Sequence, residues 1–224
     1  VDLVLGRIRN LILRTLPYRT LFPQEISQYD PWVIREAFHN SIAHQDYILR
    51  GRITLTETPG SLTVSNAGGF LPGDVESVIR SDAPPIIYRN PFLANAMVNL
   101  NMIDTQGGGI KRMLEKQMTR FFPLPDYDLS SPARVAVTIQ GTILDEQYTR
   151  LLMERTDLDL WIIMLLDKVQ KRKPLSHSDH SRLKMAGLVE GRFPKLIISD
   201  RVARLTGNEA RHIRDRGFDK RYYI

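Results

Sequence analysis

The sequence contains no cysteine, so the chain can form neither a disulfide framework nor a thiolate-bound zinc site. It has no apolar run long enough to cross a bilayer, and no small-residue cleavage site follows its arginine-containing first 16 residues. The Gly-x-x-x-x-Gly-Lys-Ser/Thr pattern of P-loop motors is also missing. A cytoplasmic protein with no membrane partner and no helicase motor is therefore the simplest interpretation.

The net charge of +6 lies mostly in the C-terminal part of the chain. Of the 224 residues, 42% are hydrophobic and 25% are charged, which suits one large or two modest globular domains. Residues 1–142 carry 14 basic and 13 acidic side chains, whereas residues 143–224 carry 17 basic and 12 acidic. Basic runs are more often solvated faces than binding sites, so this distribution favours a nucleic-acid partner only slightly.

Periodicity and turn signals predict an α+β domain in residues 1–142, with a boundary near residues 141–145. Asp30 can cap a helix that has Pro31 in its first turn. Residues 66–90 read as a long irregular lid or binding loop. Helices are predicted over residues 3–16, 31–44, 91–100 (mostly apolar, hence buried) and 110–121, strands over residues 52–57, 61–65 and 134–140, and a loop or short strand over residues 18–28.

Residues 143–200 are predicted to form a winged-helix DNA-binding domain, because three helices are followed by a hairpin. The third helix of a winged helix enters the major groove and the wing follows the backbone. A protein-interaction module is the alternative, and residues 201–224 read as the start of a further helical segment. The side chains predicted to face DNA are His177, His180, Arg182 and Lys184 on the third helix and Arg192 and Lys195 on the wing.

Three weak signals for chemistry lie in the N-terminal part. Glu36 and Asn40 are four residues apart, so both project from one helix face, where they could orient a water and hold one position of a hydrated Mg²⁺. The sequence Asn66-Ala67-Gly68-Gly69 ends a strand and lets a flat ligand approach the backbone. Gly107-Gly108-Gly109 opens a helix, whose N-terminus attracts phosphate. Taken singly, each is more often an ordinary solvated or turn sequence.

The order of these signals is similar to that of the GHKL ATPases, whose fold is an α/β sandwich with helices on one face of a mixed sheet. More closely, REAFHNSIAHQDY, VSNAGGFLPGDV, RNPFLANAMVNLNMID and GGGIKRML resemble the C-terminal domain of RecG-related transcriptional regulators. The resemblance covers about residues 1–140. It implies ATP and Mg²⁺ as ligands. The resemblance also suggests a Schlafen/AlbA-type DNA-binding domain upstream of Val1.

The resemblance assigns roles by position. Glu36 matches the general base, Asn40 the magnesium ligand, and Asn66, Gly68 and Gly69 the adenine-facing box. Gly107 and Gly109 match the phosphate-facing box, with Lys111 or Arg112 nearby. Two departures weaken the expectation of hydrolysis: Asn66 stands where GHKL ATPases carry Asp, and the second glycine of the adenine box comes one residue early. Asn can accept a hydrogen bond from the adenine amino group, but without charge assistance.

His44-Gln45-Asp46-Tyr47 matches a His-Arg-Asp-Tyr block of the same family. No nucleophile is signalled near it, so a structural role at the end of the helix is favoured over a catalytic relay.

Three functions follow as hypotheses. The first is a transcriptional regulator that binds double-stranded DNA and uses the GHKL-like domain as a nucleotide sensor or scaffold. The second is an ATP-hydrolysing enzyme in which Glu36 activates water. The third is a homodimeric scaffold with a vestigial nucleotide pocket.

Overall fold

The computed structural model describes residues 1–15, 24–81, 88–103 and 108–199. By its internal contacts the chain divides into two compact units, Val1–Thr142 and Ile143–Ile224. The first unit contains, in chain order, α1 (Asp2–Leu5), β1 (Ile12–Thr15), β2 (Gln24–Ser27), α2 (Pro31–His44), a short 3-10 helix (Tyr47–Leu49), β3 (Thr54–Glu57), β4 (Ser61–Ala67), α3 (Val75–Arg80), α4 (Pro91–Asn99), α5 (Gly109–Thr119), β5 (Asp126–Ser131) and β6 (Arg134–Gln140).

The main sheet of the first unit has the strand order β3-β4-β6-β5, and each of its pairings is antiparallel. Strands β1 and β2 form a separate antiparallel pair. The expected mixed sheet is therefore wrong for the part of the chain that the structure describes. The reason is connectivity: β3–β4 and β5–β6 are hairpins, and β6 runs opposite to β4 beside it.

Helix α2 begins where the sequence predicts. The Asp30 carboxylate accepts hydrogen bonds from the backbone N–H groups of Trp32 (2.8 Å) and Val33 (3.2 Å), and Pro31 occupies the first position. A cap of this kind contributes about 1 kcal/mol. The buried face of α2 packs on the sheet and on α5, in a core formed by Val33, Ile34, Ala37, Leu62, Val64, Met113, Val137 and Ile139.

The predicted helix over residues 3–16 is wrong. Helix α1 ends at Leu5 with Gly6 as its C-cap, and Asn10 has a positive φ of 34°. The Asn10 side chain accepts a hydrogen bond from the Tyr29 N–H at 2.7 Å. Residues 12–15 then pair with β2. Pairing with a distant segment has overridden the local helical periodicity.

The expectation that residues 91–100 are buried is also wrong. Helix α4 buries Ala94 and Met97, but Phe92 is 90% exposed and the adjoining Leu100 is 71% exposed. A surface helix buries only one stripe, and apolar residues outside that stripe stay in solvent. Helix α3 lies within the segment read as irregular, at residues 75–79 where the sequence offers a possible turn of helix. The edge strand β5 was not predicted, because its polar sequence DYDLSS lacks a strand pattern.

The second unit contains three helices followed by a hairpin, in the predicted order: α6 (Glu146–Glu154), α7 (Leu160–Gln170), α8 (His177–Met185), β7 (Val189–Arg192) and β8 (Lys195–Ile198). The side chains of Asp145, Asp159 and Ser176 cap the three helices. Helix α7 is buried over residues 162–167 and forms the centre of this unit. Residues 201–224, where a further helical segment is predicted, lie outside the described residues.

No helix in the described ranges has the length and apolar content needed to cross a membrane.

Candidate functional site

A cleft with about 600 Å³ of empty space lies in the first unit. Its walls come from α2, α5, strands β4 to β6 and the loop that follows β4. The polar and aromatic side chains that line it are Asn40, Ser41, His44, Asn66, Phe70 and Tyr127.

Glu36 and Asn40 lie together, as their spacing on α2 predicts. The Asn40 amide nitrogen donates a hydrogen bond to Glu36 Oε1 at 3.1 Å. Asn40 also lines the cleft, so its amide can meet a ligand there. A neutral amide oxygen fits one position of a Mg²⁺ whose other ligands are water and phosphate.

The Glu36 carboxylate lies next to the start of α5, where the absence of a side chain at Gly109 leaves room for it. A β-carbon at position 109 would lie 1.9 Å from Glu36 Oε1, so Glu36 packs directly against the backbone of Gly109. Gly108 has a φ of 82°, which favours glycine, and supplies no side-chain cap. The Glu36 carboxylate therefore lies against the N-terminal turn of α5, the end of a helix that favours negative charge. Gly107 lies outside the described residues.

Asn66 lies at the end of β4 and is 7% exposed. Its amide nitrogen donates to the Ala67 carbonyl at 3.0 Å. Since Asn66 lines the cleft, its Oδ1 can accept a hydrogen bond from a ligand there. A neutral acceptor there suits a base that carries an exocyclic amino group, as the position of an Asp in GHKL ATPases suggests.

Two titratable side chains of the cleft are held neutral near pH 7. Burial and the nearby Glu36 carboxylate raise the pKa of Tyr127. Burial and the Arg89 guanidinium lower the pKa of His44, whose ring stacks on Tyr88 at 5.6 Å. A neutral His44 cannot provide a fixed positive charge for a phosphate at that end of the cleft.

The block His44–Tyr47 joins the end of α2 to the end of β4. Gln45 accepts a hydrogen bond from the Ala67 N–H and donates one to the Gly51 carbonyl, each at 2.9 Å. The Asp46 N–H donates to the Ala67 carbonyl at 2.8 Å. These contacts are those of a structural connection, in agreement with the role favoured by the sequence.

Arg89 and Asn90 were given no role by the sequence, and the structure places both beside the cleft. The guanidinium of Arg89 donates to the carbonyls of His44 and Gly69, and the Asn90 amide donates to the carbonyls of Ala43 and Gln45. The sequence offered one signal for these two residues, namely that a polar pair directly precedes Pro91 at the start of α4. Its partners are 20 to 47 residues away in sequence, so no local pattern identifies them.

The other predicted ligand-binding residues are placed as follows. Gly69 lines the cleft. Gly68 lies against Asp46 and Arg89 instead, with a φ of 107°. Lys111 is half-buried in the first turn of α5, and Arg112 lies 5.6 Å above the Trp32 ring. Within the described residues, no three His, Asp or Glu side chains form a metal-sized group. Bound Mg²⁺ would therefore depend on Asn40 together with phosphate and water.

The predicted DNA-facing side chains of the second unit are exposed with one exception. His177, Arg182, Lys184, Arg192 and Lys195 are exposed. His180 is only partly exposed and its Nε2 is buried without a hydrogen-bond partner. Its ring and that of His177 contact Phe193, at 5.9 Å and 4.2 Å. The prediction that α8 exposes His180 therefore holds only in part, because its ring packs against the hairpin.

Comparison with known proteins supports a nucleotide-binding type of domain. The family described as "Putative ATP-dependent DNA helicase recG C-terminal" matches residues 52–139, which are thus similar to a RecG-like, GHKL-related ATPase domain. The matched segment runs from just before β3 into β6 and includes Asn66, Gly68, Gly69, Gly109 and Lys111, but not the helix that carries Glu36 and Asn40.

One solved structure shows a shared fold. The crystal structure of the DIP2311 protein from Corynebacterium diphtheriae has a TM-score of 0.58 and 18% identity to this chain, over 93% of it. The present chain spans 46% of the DIP2311 chain. The search among curated proteins finds no significant match.

Proposed function

We propose that residues 1–142 bind Mg-ATP in the cleft and that residues 143–199 bind duplex DNA as a winged helix. The chain would then act as a transcriptional regulator that responds to nucleotide. The observation that carries the proposal is the cleft itself, which collects Asn40, Asn66 and Gly69 beside the N-terminal turn of α5.

The nucleotide part of the proposal follows from which atoms remain available in the cleft. Asn66 Oδ1 would accept from the adenine amino group, next to the glycine backbone at position 69. Asn40 Oδ1 would hold Mg²⁺, and the first turn of α5 with Lys111 would attract the phosphates. The family match supports the proposed adenine and phosphate contacts, since it covers Asn66 and the start of α5.

Helix order and charge support the DNA part of the proposal. In winged helices the third helix enters the major groove, and here α8 is third and exposes Arg182 and Lys184. Arg192 and Lys195 form the last cross-strand pair of the β7–β8 hairpin, so the tip of the wing carries two exposed cations. Phosphate contacts of this kind dominate the affinity of proteins for DNA.

Calorimetric titration of the protein with ATP tests the nucleotide part. We expect saturable binding in the presence of Mg²⁺ and clearly weaker binding after the metal is removed with EDTA, because the described cleft contains few cationic groups to balance the triphosphate. No heat of binding in Mg²⁺ would contradict the proposal and favour the dimeric scaffold. A mass measurement with and without nucleotide then reports whether the chain dimerises and whether ATP changes this.

Hydrolysis is the second candidate function, supported by the placement of Glu36. A carboxylate held by Asn40 beside the phosphate-facing turn is positioned to accept a proton from an attacking water. Glu36→Gln keeps the size and the contact with Asn40 but removes the base. We expect any steady phosphate release to fall by about 100-fold or more while Mg-ATP binding persists. Phosphate release in the parent no faster than in Glu36→Gln would leave sensing without turnover as the function.

A further inference from the structure

Arg89 makes contact with two segments of the first unit that are distant in sequence, the end of α2 and the residues after β4. Its Nε donates to the His44 carbonyl at 3.2 Å, one terminal nitrogen donates to the Asp46 carboxylate at 3.3 Å, and the other donates to the Gly69 carbonyl at 3.0 Å. His44 is the last residue of α2, Asp46 follows that helix, and Gly69 follows β4. The Arg89 side chain therefore links the end of α2 to the residues that follow β4.

Only an arginine can satisfy this arrangement. A guanidinium is planar and carries five N–H donors in a fixed fork, whereas an ammonium is a single point from which three partners in different directions cannot all be reached. The site is also shielded, since the side chains of Arg89 and Asp46 are 24% and 21% exposed. Partial shielding from water makes the loss of any one of these bonds more costly than at the surface.

The contact of Arg89 also explains why residue 68 is a glycine. A β-carbon at position 68 would lie 3.0 Å from Asp46 Cβ and 3.1 Å from Arg89 Nε, and the φ of 107° favours glycine in any case. Position 68 must therefore lack a side chain, because a β-carbon there would crowd the guanidinium that donates to the Gly69 carbonyl. The glycine pair at 68 and 69 serves the arginine contact as well as the cleft.

We infer that Arg89 is a positioning residue for the nucleotide, acting through the backbone of Gly69 and the loop Phe70–Pro72. His44 and Gly69, whose carbonyls it binds, both line the cleft, and the three residues after Gly69 complete that wall. Holding both carbonyls fixes the width of the cleft before a ligand arrives, which lowers the entropy lost on binding. This inference rests on the proposed binding of nucleotide in the cleft.

Asn90, the next residue, holds a different part of the structure. Its amide donates to the carbonyls of Ala43 and Gln45, at 3.0 and 2.8 Å. The last carbonyls of a helix have no partner within the helix, so Asn90 completes the end of α2. Both bonds are made at the end of α2 and not on the loop after β4, so the loss of Asn90 should affect stability more than the geometry of the cleft.

Arg89→Lys, measured in the whole chain, tests the inference. The change keeps the charge and the aliphatic stem but loses the fork. We expect faster hydrogen exchange at the amides of Gly69, Phe70 and Leu71 without nucleotide, and a dissociation constant for Mg-ATP raised by about tenfold, with an unchanged circular dichroism spectrum. Arg134→Lys is the matched control, since Arg134 pairs with Asp128 at 2.9 Å on the exposed β5–β6 hairpin.

The two readouts separate the possible failures. Parent-like affinity and parent-like exchange in Arg89→Lys would overturn the inference. An Arg89→Lys protein that does not fold would overturn it too, because the residue would then serve the fold rather than the ligand. If the parent itself binds no Mg-ATP, the proposed function fails and the nucleotide role of Arg89 fails with it, while exchange at Gly69–Leu71 still shows whether the arginine holds the loop.

Discussion

Replacing Asn40 with alanine should abolish the Mg²⁺-dependent part of ATP binding while leaving the protein folded. The change removes the side-chain amide of a residue that lines the cleft, including the nitrogen that donates to Glu36 Oε1 at 3.1 Å. If Mg-ATP binds as proposed, both losses act at one place, since the oxygen would be a ligand of the metal and the nitrogen holds a carboxylate that would lie beside the phosphates. Loss of a metal ligand and its support together predicts a fall in affinity of about 100-fold.

The measurement is a calorimetric comparison of the parent and Asn40→Ala, with Mg-ATP and with ATP in EDTA. If Asn40 acts through the metal, the two proteins differ in Mg²⁺ and become alike in EDTA. Ser41→Ala is the matched control: Ser41 also lines the cleft on α2, but its hydroxyl donates to the Ala37 carbonyl at 2.9 Å within the helix. Equal affinities of parent and Asn40→Ala in Mg²⁺ would count against this placement of the metal.

Local chemistry explains which elements the sequence could predict. Helix α2 was predicted from Pro31 to about His44 because its capping residue, its first-turn proline and its apolar stripe are all neighbours in sequence. Strand β6, residues 134–140, alternates clearly and was predicted with the same ends. The side-chain pair Glu36 and Asn40 came together for the same reason, since four residues on a helix are always adjacent.

Contacts between distant segments explain what the sequence could not show. The N-terminal apolar pattern looked helical, yet Asn10 and the strand β1 follow from partners at residues 24–29. The partly buried Tyr127 lies on a strand whose polar sequence gave no signal, and its proximity to Glu36 depends on the packing of α2 over the sheet. Arg89 is the extreme case, because its three partners only meet once the unit has folded.

The cleft also changes the meaning of the departure at Asn66. From the sequence, Asn in place of Asp weakened the case for an ATP site. In the structure the amide nitrogen is already bonded to the Ala67 carbonyl, which leaves the oxygen as acceptor, as in a carboxylate but without the charge. With His44 and Tyr127 neutral as well, Glu36 would be an anionic group near a bound triphosphate. A neutral acceptor at Asn66 would then keep the proposed base contact without adding to the charge repulsion.

Removing Arg182 and Lys184 should weaken the binding of duplex DNA and reduce its dependence on salt. Both side chains are exposed on α8, the helix expected to enter the major groove. If each neutralises one phosphate, their loss lowers the slope of log affinity against log salt by about 1.8, equivalent to about 60-fold at 0.1 M salt relative to 1 M. Fluorescence anisotropy with a labelled 20-base-pair duplex over a salt series measures both quantities.

A control with the same change in charge decides whether the effect belongs to α8. Arg155→Ala combined with Arg172→Ala also removes two positive charges from the second unit, from the ends of α6 and α7. Simple attraction to a basic unit predicts equal losses in the two double variants, whereas docking of α8 predicts that the control keeps nearly the parent slope. Equal slopes would contradict the winged-helix docking. A parent protein that binds no duplex even at low salt would instead favour a protein partner. The exposed cations of α8 and of the hairpin tip would then contact that partner and not a phosphate backbone.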